Sequence, residues 1–267
     1  MLRITVTRSA SGAKKYYSGL YYSEGKSTQD YYSDKDQAMG TWGGKAAINL
    51  GLEGDIKKED FGPLCDNLIP GSDQKLTPRN NSERRVGYDF TFNASKSVSL
   101  AYTFGSENDK KQLLQAFHES VTETMTEIET GVQARVRTKG QNENRDTGNI
   151  VYGEFTHFTS RPVDNVPDPH LHTHCFVFNS TYDNTEKKWK AGEFGQIKKD
   201  APYYEAVFHA TLANKLQSLG YSIDKTEKGF EIAGIKRDTI EKFSRRTEEI
   251  EQLAVEKISL IRKINLD

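Results

Sequence analysis

His170-Leu171-His172-Thr173-His174-Cys175-Phe176-Val177-Phe178 places three of the chain's six histidines within five residues, and its alternation decides how the fold is read. In a strand, successive side chains point to opposite faces. His170, His172, His174, Phe176 and Phe178 therefore share one face, and Leu171, Thr173, Cys175 and Val177 the other. Imidazoles two residues apart on such a face have α-carbons about 7 Å apart and can lean towards one ion. Upstream, Ile150 to Phe158 reads as a second strand, and the prolines, Asp and Asn of residues 159 to 169 suit a turn back into an antiparallel pair. That pairing sets His157 opposite the His172 to His174 region. Three neutral imidazoles suit one divalent cation: Zn, Mn, Co or Ni by ligand type, and Mg where substrate oxygens and water complete the shell. A lone histidine such as His118 or His209 is far more often structural, and the cluster is set apart by its ligand spacing. His170 shares the face and is read as lying behind the ligands or facing solvent, since a fourth imidazole would close a catalytic site.

Outward from this pair, the sequence predicts an α+β domain. Ile4 to Arg8 alternates as a first strand, and Ser9-Ala10-Ser11-Gly12 opens a helix carrying Lys14 to Tyr17. Residues 23 to 87 are rich in Gly, Asp, Asn and Lys and read as short helices and long loops. Val86, Tyr88, Phe90 and Phe92 alternate with Gly87, Asp89 and Thr91, which turns Asp89 away from the aromatic face. Leu113, Leu114, Phe117, Val121, Met125 and Ile128 mark an amphipathic helix from Asp109 to Glu129, with Gly131 at its end. Strands are expected at Val132 to Thr138 and His170 to Asn179. A helix is expected at Pro202 to Leu219, a hairpin at Tyr221 to Ile232, and a charged helix from about Arg237.

Composition excludes several classes. The 267 residues suit one large domain, and no linker or repeat divides them. No apolar run reaches the roughly 20 residues needed to span a bilayer and no signal peptide opens the chain, so a cytoplasmic location is expected. Two isolated cysteines, Cys65 and Cys175, offer neither a disulfide framework nor a metal knuckle. Lys and Arg number 37 against 38 Asp and Glu, so the overall field gives no reason to expect nucleic acid. A single-strand binder can rely instead on a local basic groove with aromatic platforms, and 13 Tyr and 13 Phe supply candidates.

Tyrosine occurs in three N-terminal pairs, Tyr16-Tyr17, Tyr21-Tyr22 and Tyr31-Tyr32. Most of these six are expected to pack a core or an edge. A phenol beside a metal has a further use. Its pKa near ~10 makes it a good leaving group, so an aryl phosphodiester retains the energy of a broken DNA link and allows resealing.

Thr7-Arg8-Ser9-Ala10 before Tyr16-Tyr17, Trp42-Gly43-Gly44-Lys45, and Leu50-Gly51-Leu52-Glu53-Gly54 form an ordered set with Gly87-Tyr88-Asp89-Phe90-Thr91-Phe92-Asn93-Ala94-Ser95-Lys96-Ser97-Val98-Ser99. His157-Phe158-Thr159-Ser160-Arg161, His172-Thr173-His174 and Phe243-Ser244-Arg245-Arg246-Thr247-Glu248 continue it. In this order the set resembles the conjugative plasmid relaxases of the relaxase–helicase branch, within the His-hydrophobic-His endonucleases, over most of the chain. The resemblance implies one relaxase domain over residues 1 to 267, an antiparallel sheet flanked by helices, and a C-terminal helical lid over a single-stranded DNA groove. It implies Tyr16, with Tyr17 beside it, as the nicking nucleophile, His157, His172 and His174 as metal ligands, and Asp89 as base or as partner of a ligand. The partners implied are single-stranded DNA with an origin hairpin and nick site, and accessory transfer proteins; the cofactor implied is one divalent ion, Mg or Mn in function. Where the family usually has two tyrosine clusters this chain has three pairs, so Tyr21, Tyr22, Tyr31 and Tyr32 all compete as candidates for any second nucleophile. Asn93-Ala94-Ser95 replaces a typical Ser-Ala-Pro. No helicase follows residue 267, so the chain reads as a relaxase fragment or a natural short form.

Lys14, Lys15, Arg84, Arg85, Arg161, Lys187, Lys188 and Lys190 are candidate phosphate contacts. Three other readings stand beside nicking for transfer. A rolling-circle initiator shares the chemistry but generally places its tyrosine after the histidines. A non-cutting origin-binding module would use the metal structurally. Zinc-dependent hydrolysis leaves the tyrosine pairs without a role.

Overall fold

The histidine-bearing strand lies in the middle of a five-stranded antiparallel sheet in the computed structural model, which describes residues 2–18, 40–78, 84–138 and 140–249. The chain opens with β1 (Leu2–Thr7) and α1 (Ala10–Ser18), followed by β2 (Thr41–Gly43), α2 (Lys45–Ile48) and α3 (Lys58–Cys65). Next come β3 (Gly87–Asn93), α4 (Lys96–Phe104) and α5 (Glu107–Thr130). A ribbon of β4 (Gln133–Thr138) and β5 (Gln141–Asp146) leads into β6 (Tyr152–Thr159) and β7 (Pro169–Phe178). Short strands β8 (Thr181–Asp183), β9 (Lys188–Lys190) and β10 (Gly192–Glu193) precede α6 (Gly195–Lys199) and α7 (Ala201–Ser218). The hairpin of β11 (Ile223–Thr226) and β12 (Gly229–Ile232) and helix α8 (Arg237–Lys242) complete the described elements. The main sheet runs β1-β3-β7-β6-β2, and β10 adds to the β4–β5 ribbon.

Two cores cover the two faces of this sheet. On one, Tyr88, Phe90 and Phe92 of β3 and Leu171, Cys175 and Val177 of β7 meet the buried stripes of α5 and α7. Helix α5 starts at a capping box between Ser106 and Asp109, which satisfies orphan amides at its first turn. On the other, Phe176 and Phe178 pack with Phe155, Phe61, Leu64 and Tyr17. The face assignment read from β7 therefore holds along the strand. Val86 departs from its expected side: it precedes β3 and packs in the second core, apart from Tyr88, Phe90 and Phe92. No helix of the described residues is long and apolar enough to cross a membrane.

Candidate active site

Three strands and one helix deliver the site. His157 of β6 and His172 of β7 are direct cross-strand partners, and His174 lies opposite Thr91 of β3. The three ring centroids form a near-equilateral triangle: His157 to His172 5.1 Å, His157 to His174 5.3 Å, His172 to His174 5.3 Å. An imidazole nitrogen binds a divalent ion at about 2.0–2.1 Å, which sets ring centres roughly 3 Å from the ion and roughly 5 Å from each other at tetrahedral angles. Among the described residues no three His, Cys, Asp or Glu side chains already stand in coordinating geometry, so these rings would have to turn to share an ion.

Their nitrogens are nevertheless sorted. The Asp89 carboxylate accepts from Nδ1 of His174 at 2.8 and 3.0 Å, with Thr91 Oγ1 at 3.3 Å from the same atom. The carbonyl oxygen of His170 accepts from Nδ1 of His172 at 2.9 Å. Carbonyl and carboxylate oxygens only accept, so in both rings Nδ1 carries a proton and Nε2 is the atom left for a metal. Burial, then the neighbouring His172 and His174, pushes His157 down to about 2. Burial and His174 bring His172 to about 4 against the opposing bond to His170. Both are therefore neutral at pH 7.

Helix α1 brings the phenols. Ser9 Oγ accepts from the amide of Gly12 at 2.9 Å, closing the first turn expected from the small polar stretch. Consecutive helix positions diverge by about 100°. Tyr17, only 3% exposed, packs against Phe155, Phe176 and Phe61 at 4.7, 4.9 and 5.5 Å between centroids. Tyr16, 46% exposed, stands edge-on to the His174 ring at 5.9 Å. The geometry thus separates the pair into an anchor and a phenol over the histidines. Tyr21, Tyr22, Tyr31 and Tyr32 lie outside the described residues.

The candidate DNA contacts do not gather in one place. Arg84, Arg85, Lys188 and Lys190 line a groove of about 970 Å³ beside the β4–β5 ribbon, joined by Arg135 and Arg137. Those two arginines were missed by sequence reasoning, although their i, i+2 spacing in an expected strand puts both on one face. Lys187 is absent from that lining, as are Lys14, Lys15 and Arg161. Several cations are engaged internally: Lys14 with Asp66 at 2.8 Å, Lys188 with Glu186 at 2.6 Å, Lys190 with Asp183 at 3.0 Å, and Arg84 with the Cys65 carbonyl.

Residues 10–263 match the family model of the TrwC relaxase. The chain belongs to the TrwC relaxase family. Among relatives, the multifunctional conjugation protein TraI of Escherichia coli is 33% identical over 250 residues, which is 88% of this chain and 14% of TraI. The chain thus spans about one seventh of the length of that relative. The solved structure of conjugative relaxase TrwC in complex with oriT DNA, in its metal-bound form, shares the fold with a TM-score of 0.79 at 33% identity, covering 96% of this chain and 84% of that one. TrwC complexed with a 27-mer DNA comprising the recognition hairpin and the cleavage site matches at 0.79 and 32%, covering 96% and 83%. The α+β relaxase fold with its central antiparallel sheet is the one expected from the sequence.

Proposed function

We propose that this relaxase domain nicks and rejoins single-stranded DNA at a plasmid transfer origin, with Tyr16 as nucleophile and His157, His172 and His174 as the ligands of one divalent ion. The observation that carries this reading is an exposed phenol edge-on to His174 in a triangle of three imidazoles, two of them bonded through Nδ1 so that Nε2 is left to ligate. Membership of the TrwC relaxases supports it, as do relatives solved with oriT DNA and with metal. An ion held by these imidazoles, Mg or Mn in function with Zn, Co and Ni also suited to the ligands, would neutralise charge building on the scissile phosphate.

Tyr16 oxygen attacks phosphorus in line. The new bond joins phenol to the 5′ phosphate as the phenolic proton passes to water, the bond to the 3′ oxygen breaks, and that oxygen takes a proton from water and leaves as a free hydroxyl. Resealing is the same displacement reversed. Asp89 directs both carboxylate oxygens at His174, which favours orienting that ring over deprotonating Tyr16. The groove beside the β4–β5 ribbon suits the phosphates of an origin hairpin, with the single strand continuing to the histidines. The C-terminal part, from α8 through the helical turn beginning at Arg245, supplies the lid over that strand.

Incubation with Mn and a randomised single-stranded oligonucleotide library, followed by peptide mass spectrometry, tests the assignment. A nucleotide adduct on the peptide carrying Tyr16, abolished in Tyr16→Phe, is expected. An adduct that persists in Tyr16→Phe removes the nucleophile, and no adduct at all favours the non-cutting module.

A further inference from the structure

His170 sits where β7 begins and the ladder around it is irregular. On one side Asn93 is the last residue of the β3–β7 register, opposite His172. On the other, the β6–β7 register shifts between His157 and Thr159. The carbonyl that holds His172 therefore belongs to a residue at the margin of regular pairing, and side chains take over the task of fixing it. Asn93 Oδ1 accepts from Nε2 of His170 at 3.0 Å, while Asn93 Nδ2 donates to the Thr91 carbonyl at 3.4 Å, so the amide's oxygen end faces the imidazole. The His170 ring lies against that of His172, with centroids 4.6 Å apart and planes 31° from parallel. His172 thus has the backbone of His170 as acceptor and the ring of His170 as a wall.

We infer that Asn93 and His170 are a positioning pair for the metal centre, fixing the ring and carbonyl that keep His172 oriented with Nε2 as its ligating atom. A serine at position 93, with its shorter side chain, could not span the same gap. The contact is a property of this Asn and His combination. The inference rests on His157, His172 and His174 being the ligands. Residues behind a ligating imidazole typically change metal affinity 10- to 100-fold when removed.

The test is calorimetric titration of Mn or Co into the wild-type protein, Asn93→Ser, His170→Ala, the double variant, His170→Gln and His174→Ala, with melting of each metal-free protein alongside. Expected are affinities about tenfold weaker for Asn93→Ser and for His170→Ala, and a double variant no weaker than either single, because both remove one bond. His170→Gln, which restores an amide donor towards Asn93, should return to within about threefold of wild type. Unchanged affinity, losses that add in the double variant, or losses that follow a fall in metal-free melting temperature would overturn the pair. Wild-type binding that is abolished by His174→Ala yet indifferent to Asn93 and His170 removes the pair alone. A wild-type protein that binds neither ion removes the metal reading and the pair with it.

Discussion

Tyr16 and Tyr17 are adjacent in sequence and opposite in environment. Tyr17 is surrounded by three phenylalanines, so Tyr17→Ala should cost about 3 kcal/mol of stability, whereas Tyr17→Phe should keep both folding and adduct formation. Chemical denaturation and adduct mass spectrometry on the two variants separate anchor from nucleophile. A second expectation concerns acid. His157 and His172 are buried with folded-state values lowered to about 2 and about 4, so the unfolded chain binds protons there first as pH falls below about 6.5. Stability of the metal-free protein is therefore fully present above that value and declines as pH drops from about 6.5 towards 4. A melting temperature that stays flat or rises over that range would contradict the assignment of these two rings as neutral and buried.

At the scale of elements, legibility followed periodicity. The period-2 run of β7 and its partner β6 marks in the sequence both the pairing and the shared face of His157, His172 and His174. Helix α5 was equally plain because Leu113, Phe117, Val121, Met125 and Ile128 repeat at three and four residues and are all buried. Strand β5, Gln141-Asn142-Glu143-Asn144-Arg145-Asp146, was invisible: it has no apolar residue to alternate and pairs only with β4, so backbone hydrogen bonds alone reveal it. The basic groove beside that ribbon was half legible for the same reason, since which cations share a face depends on a pairing that the sequence leaves unmarked. Charge reversal at Arg135 and Arg137 together should weaken binding of a hairpin oligonucleotide and reduce its salt slope by about 2, at roughly 0.9 per lost phosphate contact. Fluorescence anisotropy over a salt series would detect this, and an unchanged slope would clear the groove of a role in binding duplex.

Across the whole molecule, distant segments are tied to the histidine strands. Asp168, 2% exposed, immediately precedes β7 and is bound by Arg245 at 2.6 and 2.9 Å, while Lys96 donates to the Pro169 carbonyl at 2.8 Å. Arg245→Ala should lower stability by about 2 kcal/mol, because it strips a buried carboxylate of its guanidinium, and hydrogen exchange should quicken both at α8 and around residue 168. Exchange that quickens at α8 alone would show that the contact does not brace the strand. The sheet order has a consequence during synthesis. Strand β3, with Asp89, comes from the first half of the chain and sits between β1 and β7, whereas every imidazole of the triangle arrives after residue 156. On the proposed assignment, a nascent chain shorter than 157 residues holds the phenol of Tyr16 with none of the three imidazoles, so assembly of the proposed centre would wait on the later part of the domain.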